Sequence, residues 1–149
     1  MELRRLGRSG IPVSPLGLGT ARIAGLGWND ELAPQASAQA KRDASGQGAA
    51  VRQIQAAVDL GVTLFDTADN YGQGLSERIL GEALRGRREG IVVVTKFGED
   101  PIPDQEDPWA LDADSVERKC EASLRRLGFE CIDLYLLHRR DYPLERAPA

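Results

Sequence analysis

Lys96 stands directly behind the apolar run Ile91-Val92-Val93-Val94-Thr95, where an ammonium group without a counter-ion is heavily penalised. Fully buried lysines fall to pKa values of about 5–6, so this one needs an anion to stay charged. Asp66, at the end of Leu64-Phe65-Asp66, is the available carboxylate, and Tyr71 follows it by five residues. A free phenol ionises near pH 10, about three units too high for ready proton exchange at neutral pH. A cation about 4 Å away at an effective dielectric near 20 contributes about 4 kcal/mol, close to those three units before phenolate desolvation takes some back. His138, the sole histidine, closes the run Leu134–Leu137 and can hydrogen-bond a substrate oxygen beside the phenol. A tuned phenol acid with no nucleophile and no metal suits protonation of a carbonyl oxygen while a nicotinamide delivers hydride to carbon. Each residue also has a structural alternative: Asp66 as a turn cap, Tyr71 as a loop aromatic, and His138 as a hydrogen-bonded core histidine.

Groups that act together must be brought together, and the pattern of elements supplies the means. Glu2–Leu6 and Ile11–Ser14 flank Gly-Arg-Ser-Gly, which predicts a hairpin over residues 1–15. Leu16–Thr20 is a short strand ending in glycines, and residues 25–50, rich in Ala, Gln, Ser and Gly, predict a long mobile loop. Val51, Ile54, Ala57 and Val58 then mark a helix, Val62–Ala68 a strand, Leu75–Leu84 a helix and Ile91–Phe97 a strand apolar on both faces. Asp114 with Glu117 can open the next helix, whose stripe is Val116, Cys120, Leu124 and Leu127, and Cys131–His138 is the last strand. Alternating strands and helices force parallel strands with right-handed crossovers. Asp66, Tyr71, Lys96 and His138 then lie at the C-terminal ends of three consecutive strands, the edge where parallel β/α proteins gather functional groups. Both a doubly wound open sheet and a (β/α)8 barrel satisfy this order.

Composition narrows the classes. With 149 residues the chain can bury one core, and 42% hydrophobic with 28% charged residues is the balance of an ordinary globular protein. A formal charge of -4, with short basic clusters such as Arg4–Arg5, Arg85–Arg88 and Arg139–Arg140, gives no footprint for nucleic acid, and solvated surface is the expectation for each of these clusters. No apolar run reaches the about 18 residues of a membrane span, and the N-terminus lacks a signal-peptide core. Cys120 and Cys131 have no metal-ligand spacing, so no metal site is expected; both are expected to be buried, reduced thiols, which points to the cytoplasm. Glycine pairs at 17/19, 25/27 and 72/74 never continue to a third glycine at Rossmann spacing and serve better as turn glycines.

The hairpin, the GLGT after it, FDTADNYG followed by SERILGEAL, VVTKFG, and EASLRRLGFECIDLYLLHR together resemble the aldo-keto reductase family. The likeness spans nearly the whole chain apart from residues 25–50. It implies an α/β fold of the (β/α)8 TIM-barrel type, with residues 1–149 as about the first half of the barrel. It also implies oxidoreductase chemistry interconverting aldehydes or ketones with alcohols. Asp66, Tyr71, Lys96 and His138 match the family's catalytic positions, with Tyr71 as general acid. Gly19, Thr20 and Asp66 would approach the cofactor, NADP(H) with NAD(H) as the alternative, and Trp28, Tyr71 and His138 the carbonyl or sugar substrate. A half barrel leaves its first and fourth strands open to self-association, and the chain alone is expected to be a fragment with little or no activity. Two other classes compete: a non-catalytic scaffold completed by another chain, and a small doubly wound domain with structural polar residues.

Overall fold

The computed structural model describes residues 1–23, 44–98 and 111–138. Strands β1 (Arg4–Arg5) and β2 (Pro12–Val13) pair antiparallel as the expected hairpin. After them come β3 (Gly17–Gly19), α1 (Ala44–Asp59), β4 (Leu64–Asp66), α2 (Leu75–Ala83), β5 (Val92–Phe97), α3 (Ala113–Leu127) and β6 (Leu134–Leu137). Strands β3 to β6 form one sheet in the order β3-β4-β5-β6, and every pair is parallel. Each strand is added beside its predecessor with no reversal, which is barrel winding and not the doubly wound order with its switch point. β3 and β6 are the outer strands of this sheet among the described residues.

Period-2 alternation separates the two faces. Phe65, Val93 and Thr95, none of them exposed, point toward the helices, where Ile54, Leu80, Leu84 and Leu127 complete the core. The register aligns Gly19, Asp66 and Val94 across three strands, with Lys96 one step further along β5 opposite Leu136. That second face carries the polar groups. Helices α2 and α3 pack so closely that a Cβ on Gly81 would lie 2.0 Å from the Leu127 carbonyl oxygen, so no side chain fits there.

Several expectations need correction. α1 begins at Ala44, so the last seven residues of the stretch read as loop, 44–50, are helical; Ala50 is buried in the core, and tertiary packing outweighs the glycines at 46 and 48. Residues 25–43 of that stretch, Trp28 included, lie outside the described residues. α3 is capped by Asp112 and not by Asp114. Its most buried line is Ser115, Lys119, Ser123 and Leu127, one position round from the expected stripe, leaving Val116, Cys120 and Leu124 half-buried. Cys131 is exposed because β6 starts only at Leu134, while Cys120 is half-buried and burial pushes its thiol up. The cluster at residues 85–88 is not simply solvated: Arg87 pairs with Asp59, and Arg88 pairs with Asp133 and lies over the Phe129 ring. Arg139 and Arg140 lie outside the described residues. No helix among the described residues is long and apolar enough to cross a membrane.

The cap of α3 makes a pH prediction. The Ser115 hydroxyl and backbone N–H both donate to the Asp112 carboxylate and hold its pKa below the ordinary 3.8. A carboxyl lowered on folding stabilises the helix above its unfolded value, and that contribution disappears as pH falls through the folded value. Amide exchange in the first turn of α3 is therefore expected to be protected above about pH 4 and to accelerate below it. Asp112→Asn keeps a capping oxygen and should flatten this dependence; an unchanged profile in Asp112→Asn would assign it to another group.

Candidate active site

The site is built where β4, β5 and β6 end. Asp66 is the last residue of β4 and Lys96 the next-to-last of β5, and the parallel register sets them on one face of neighbouring strands. Lys96 Nζ donates to Asp66 Oδ1 at 2.7 Å and to the Thr67 carbonyl oxygen at 2.7 Å. The lysine side chain is 14% exposed and the aspartate 43%, so the ammonium is enclosed while part of the carboxylate meets solvent. A carboxylate and a carbonyl replace the water that the enclosed ammonium has lost.

Tyr71 reaches the same place from the turn that follows β4. Its N–H donates to the Ala68 carbonyl, and the chain then passes through Gly72, Gln73 and Gly74 with φ of 60°, 56° and 81°. Three successive left-handed residues reverse the chain tightly enough for α2 to start at Leu75, and glycine at two of the three keeps the strain low. Gly74 has a second reason to be glycine: a Cβ there would lie 2.4 Å from Cδ of Arg126, which crosses over it from α3. The Tyr71 ring lies with its centroid 5.2 Å from Lys96 Nζ, within cation–π range. His138 follows β6 and extends the ladder, its N–H donating to the Phe97 carbonyl at 2.9 Å. Its imidazole meets the Tyr71 ring edge-on, with centroids 5.6 Å apart and planes at 78°.

The four residues singled out from sequence are thus drawn together: carboxylate to ammonium, ammonium to phenol ring, phenol ring to imidazole. Gly19 is beside Asp66 in register, and among the described residues nothing lies within 4 Å of where its Cβ would be. Thr20, beside Gly19, is buried. It is 1% exposed, with its N–H and hydroxyl both donating to the Asp66 carbonyl and its hydroxyl 2.7 Å from that of Ser76, so its side chain supports the site from inside. Tyr135 provides a contrast. Its ring stacks on Phe97, and burial, then the charge of Asp69, drives its phenol far above the ordinary tyrosine value, unsuiting it to exchange protons.

Sequence patterns missed Thr67, Ser76, Glu77 and Thr95. Glu77 is not exposed at all; it accepts from Thr95 Oγ1 at 2.6 Å and is ion-paired to Arg126. The one available signal was a carboxylate within a line otherwise formed by Ile79, Leu80 and Ala83.

Parallel strands wound in sequence, with helices on one face and polar groups at the C-terminal strand ends, define a TIM-barrel fold of which about half is present. The model of the aldo/keto reductase family matches residues 15–147, and the chain belongs to that family. It is 42% identical over 96 residues to the methylglyoxal reductase YeaE of Escherichia coli, covering 64% of this chain and 31% of that protein. The solved holo form of aldo-keto reductase AKR11C1 from Bacillus halodurans superposes with a TM-score of 0.72 at 32% identity, over 97% of this chain and 43% of that one. An aldo-keto reductase from Klebsiella pneumoniae in complex with NADPH gives a TM-score of 0.65 at 30% identity, over 90% of this chain and 38% of that one. The chain spans less than half the length of each.

Proposed function

We propose that this chain contributes the acid–base half of an NADP(H)-dependent reductase that interconverts aldehydes or ketones with alcohols. The observation that carries the proposal is the linked contact set of Asp66, Lys96, Tyr71 and His138, with an ammonium 2.7 Å from its carboxylate and 5.2 Å from the centre of a phenol ring. Tyr71 is the general acid: its hydroxyl passes a proton to the carbonyl oxygen, and in the oxidative direction the phenolate takes it back. Lys96 stabilises that phenolate, and Asp66 holds the Lys96 ammonium in place. His138, packed on the edge of the Tyr71 ring, hydrogen-bonds the substrate oxygen and holds it within reach of the phenol. These residues supply a proton and an orienting field but no reductant. When bound, NADP(H) supplies the hydride.

The residues present fit such a cofactor. Among the described residues no atom lies within 4 Å of where a Gly19 Cβ would be, and the exposed part of the Asp66 carboxylate lies beside it in register, so both would hold the cofactor near the proton donor. Complexes of the Klebsiella relative with NADPH favour the phosphorylated dinucleotide, and the YeaE name favours small reactive carbonyls as substrates. The test is loss of NADPH absorbance by the full-length polypeptide carrying this sequence, with methylglyoxal and a panel of aldehydes and ketones. Carbonyl-dependent consumption is expected. Tight NADPH binding with no consumption across the panel would instead favour a non-catalytic binding role.

A further inference from the structure

We propose that Ser76 is a positioning residue for the site, acting with Thr67 and Thr20 as a buried clasp that sets where Tyr71 and Lys96 lie relative to one another. This rests on the assignment of Tyr71 and Lys96 above. Ser76 lies in the first turn of α2, immediately after the reversal that delivers Tyr71, and its N–H donates to the Tyr71 carbonyl at 3.2 Å. Its hydroxyl accepts from Thr67 Oγ1 at 3.0 Å and lies 2.7 Å from Thr20 Oγ1 and 3.2 Å from the Thr20 carbonyl. Thr67 is the residue whose own carbonyl receives Lys96 Nζ, and Thr20 Oγ1 bonds the carbonyl of Asp66 at 3.0 Å. Ser76 is therefore joined to the general acid through its backbone and to both members of the Asp66–Lys96 pair through its side chain.

The three hydroxyls are 2% exposed or less, so water does not compete for them. One proton order links the three hydroxyls: Thr67 donates to Ser76, Ser76 to the Thr20 hydroxyl, and Thr20 to the Asp66 carbonyl, with the Thr20 carbonyl 3.2 Å from Ser76 as the competing acceptor. A chain of hydroxyls with a single direction and a fixed carbonyl at its end has little freedom to slide. Neighbouring Glu77 braces β5 separately, through Thr95. Loss of the Ser76 hydroxyl leaves Thr67 and Thr20 with orphaned bonds and frees the ends of β3 and β4 to shift relative to the Tyr71 turn. Displacements of about 1 Å in such a site cost up to about 100-fold in rate.

The test compares Ser76→Ala and Thr67→Val with Ser123→Ala in the full-length polypeptide. Ser123 is equally buried and accepts from Arg126 within α3. Ser76→Ala and Thr67→Val are expected to lower kcat about 10- to 100-fold, with KM and NADPH Kd within about threefold. Ser123→Ala is expected to keep the parental kcat even where it lowers the melting temperature. Without cofactor, amide exchange across residues 67–76 should accelerate in Ser76→Ala and not in Ser123→Ala. If Ser76→Ala does not fold, Thr67→Val alone decides. Parental kcat in the Ser76 and Thr67 variants, or an equal fall in Ser123→Ala, overturns the clasp while leaving Tyr71 as acid. A parent that consumes no NADPH, or a fully active Tyr71→Phe, overturns the site assignment itself.

Discussion

Tyr71→Phe is expected to reduce kcat by about 10²- to 10⁴-fold, the contribution of a positioned proton donor. The substitution removes one oxygen and keeps the ring that packs against Lys96 Nζ and His138. Affinity for NADPH should therefore change by no more than about threefold, and KM should change far less than kcat. The pattern matters more than the size. A loss confined to kcat marks a group that acts in the transition state, whereas parallel losses in cofactor affinity and stability would mark Tyr71 as a packing residue. Stopped-flow NADPH oxidation with a saturating aldehyde separates the two, and turnover within about threefold of the parent would remove Tyr71 as the acid.

Arg126→Met is expected to have the largest effect on folding, about 3–5 kcal/mol, because it leaves a buried carboxylate without its cation. Glu77 is not exposed, the Arg126 side chain is 10% exposed, and the pair joins the first turn of α2 to the end of α3 across Gly74. Surface pairs such as Arg125–Glu121, 70% and 57% exposed, contribute at most about 1 kcal/mol and serve as the control. The cost lies in breaking the pair, not in lacking it. Adding Glu77→Gln to Arg126→Met should therefore recover part of the loss, since a neutral amide can still accept from Thr95 without an uncompensated charge. Urea midpoints of the single and double variants measure this, and a loss below about 1 kcal/mol in Arg126→Met would mean that water or another cation reaches Glu77.

How much of this was legible beforehand follows from what each residue needs. The strands at 62–97 could be read because an apolar run between helical stripes has few other uses in a parallel sheet, and Lys96 stood out because a charge behind such a run needs a partner. The partner could be named because few carboxylates end a neighbouring strand. The helix starts were less legible. Ala44–Ala50 carries no apolar period of its own and is helical because Ala50 packs into the core, and Asp112 caps α3 through a bond to Ser115 that competes evenly, on sequence alone, with the Asp114–Glu117 alternative. The buried polar layer of Thr20, Thr67, Ser76, Glu77 and Thr95 was the least legible part, since hydroxyls and a carboxylate read as surface until distant partners up to 56 residues apart meet them.

The central claim is that Lys96 and Tyr71 work as one unit, and a double-mutant cycle on kcat tests it most directly. Tyr71→Phe, Lys96→Met and the combined variant are compared with the parent in NADPH oxidation at saturating carbonyl. Groups that act through one another are strongly non-additive, so the combined variant should fall within about threefold of Tyr71→Phe alone. If the two losses multiply, the lysine acts independently of the phenol and the proposed acid is not the group that Lys96 serves.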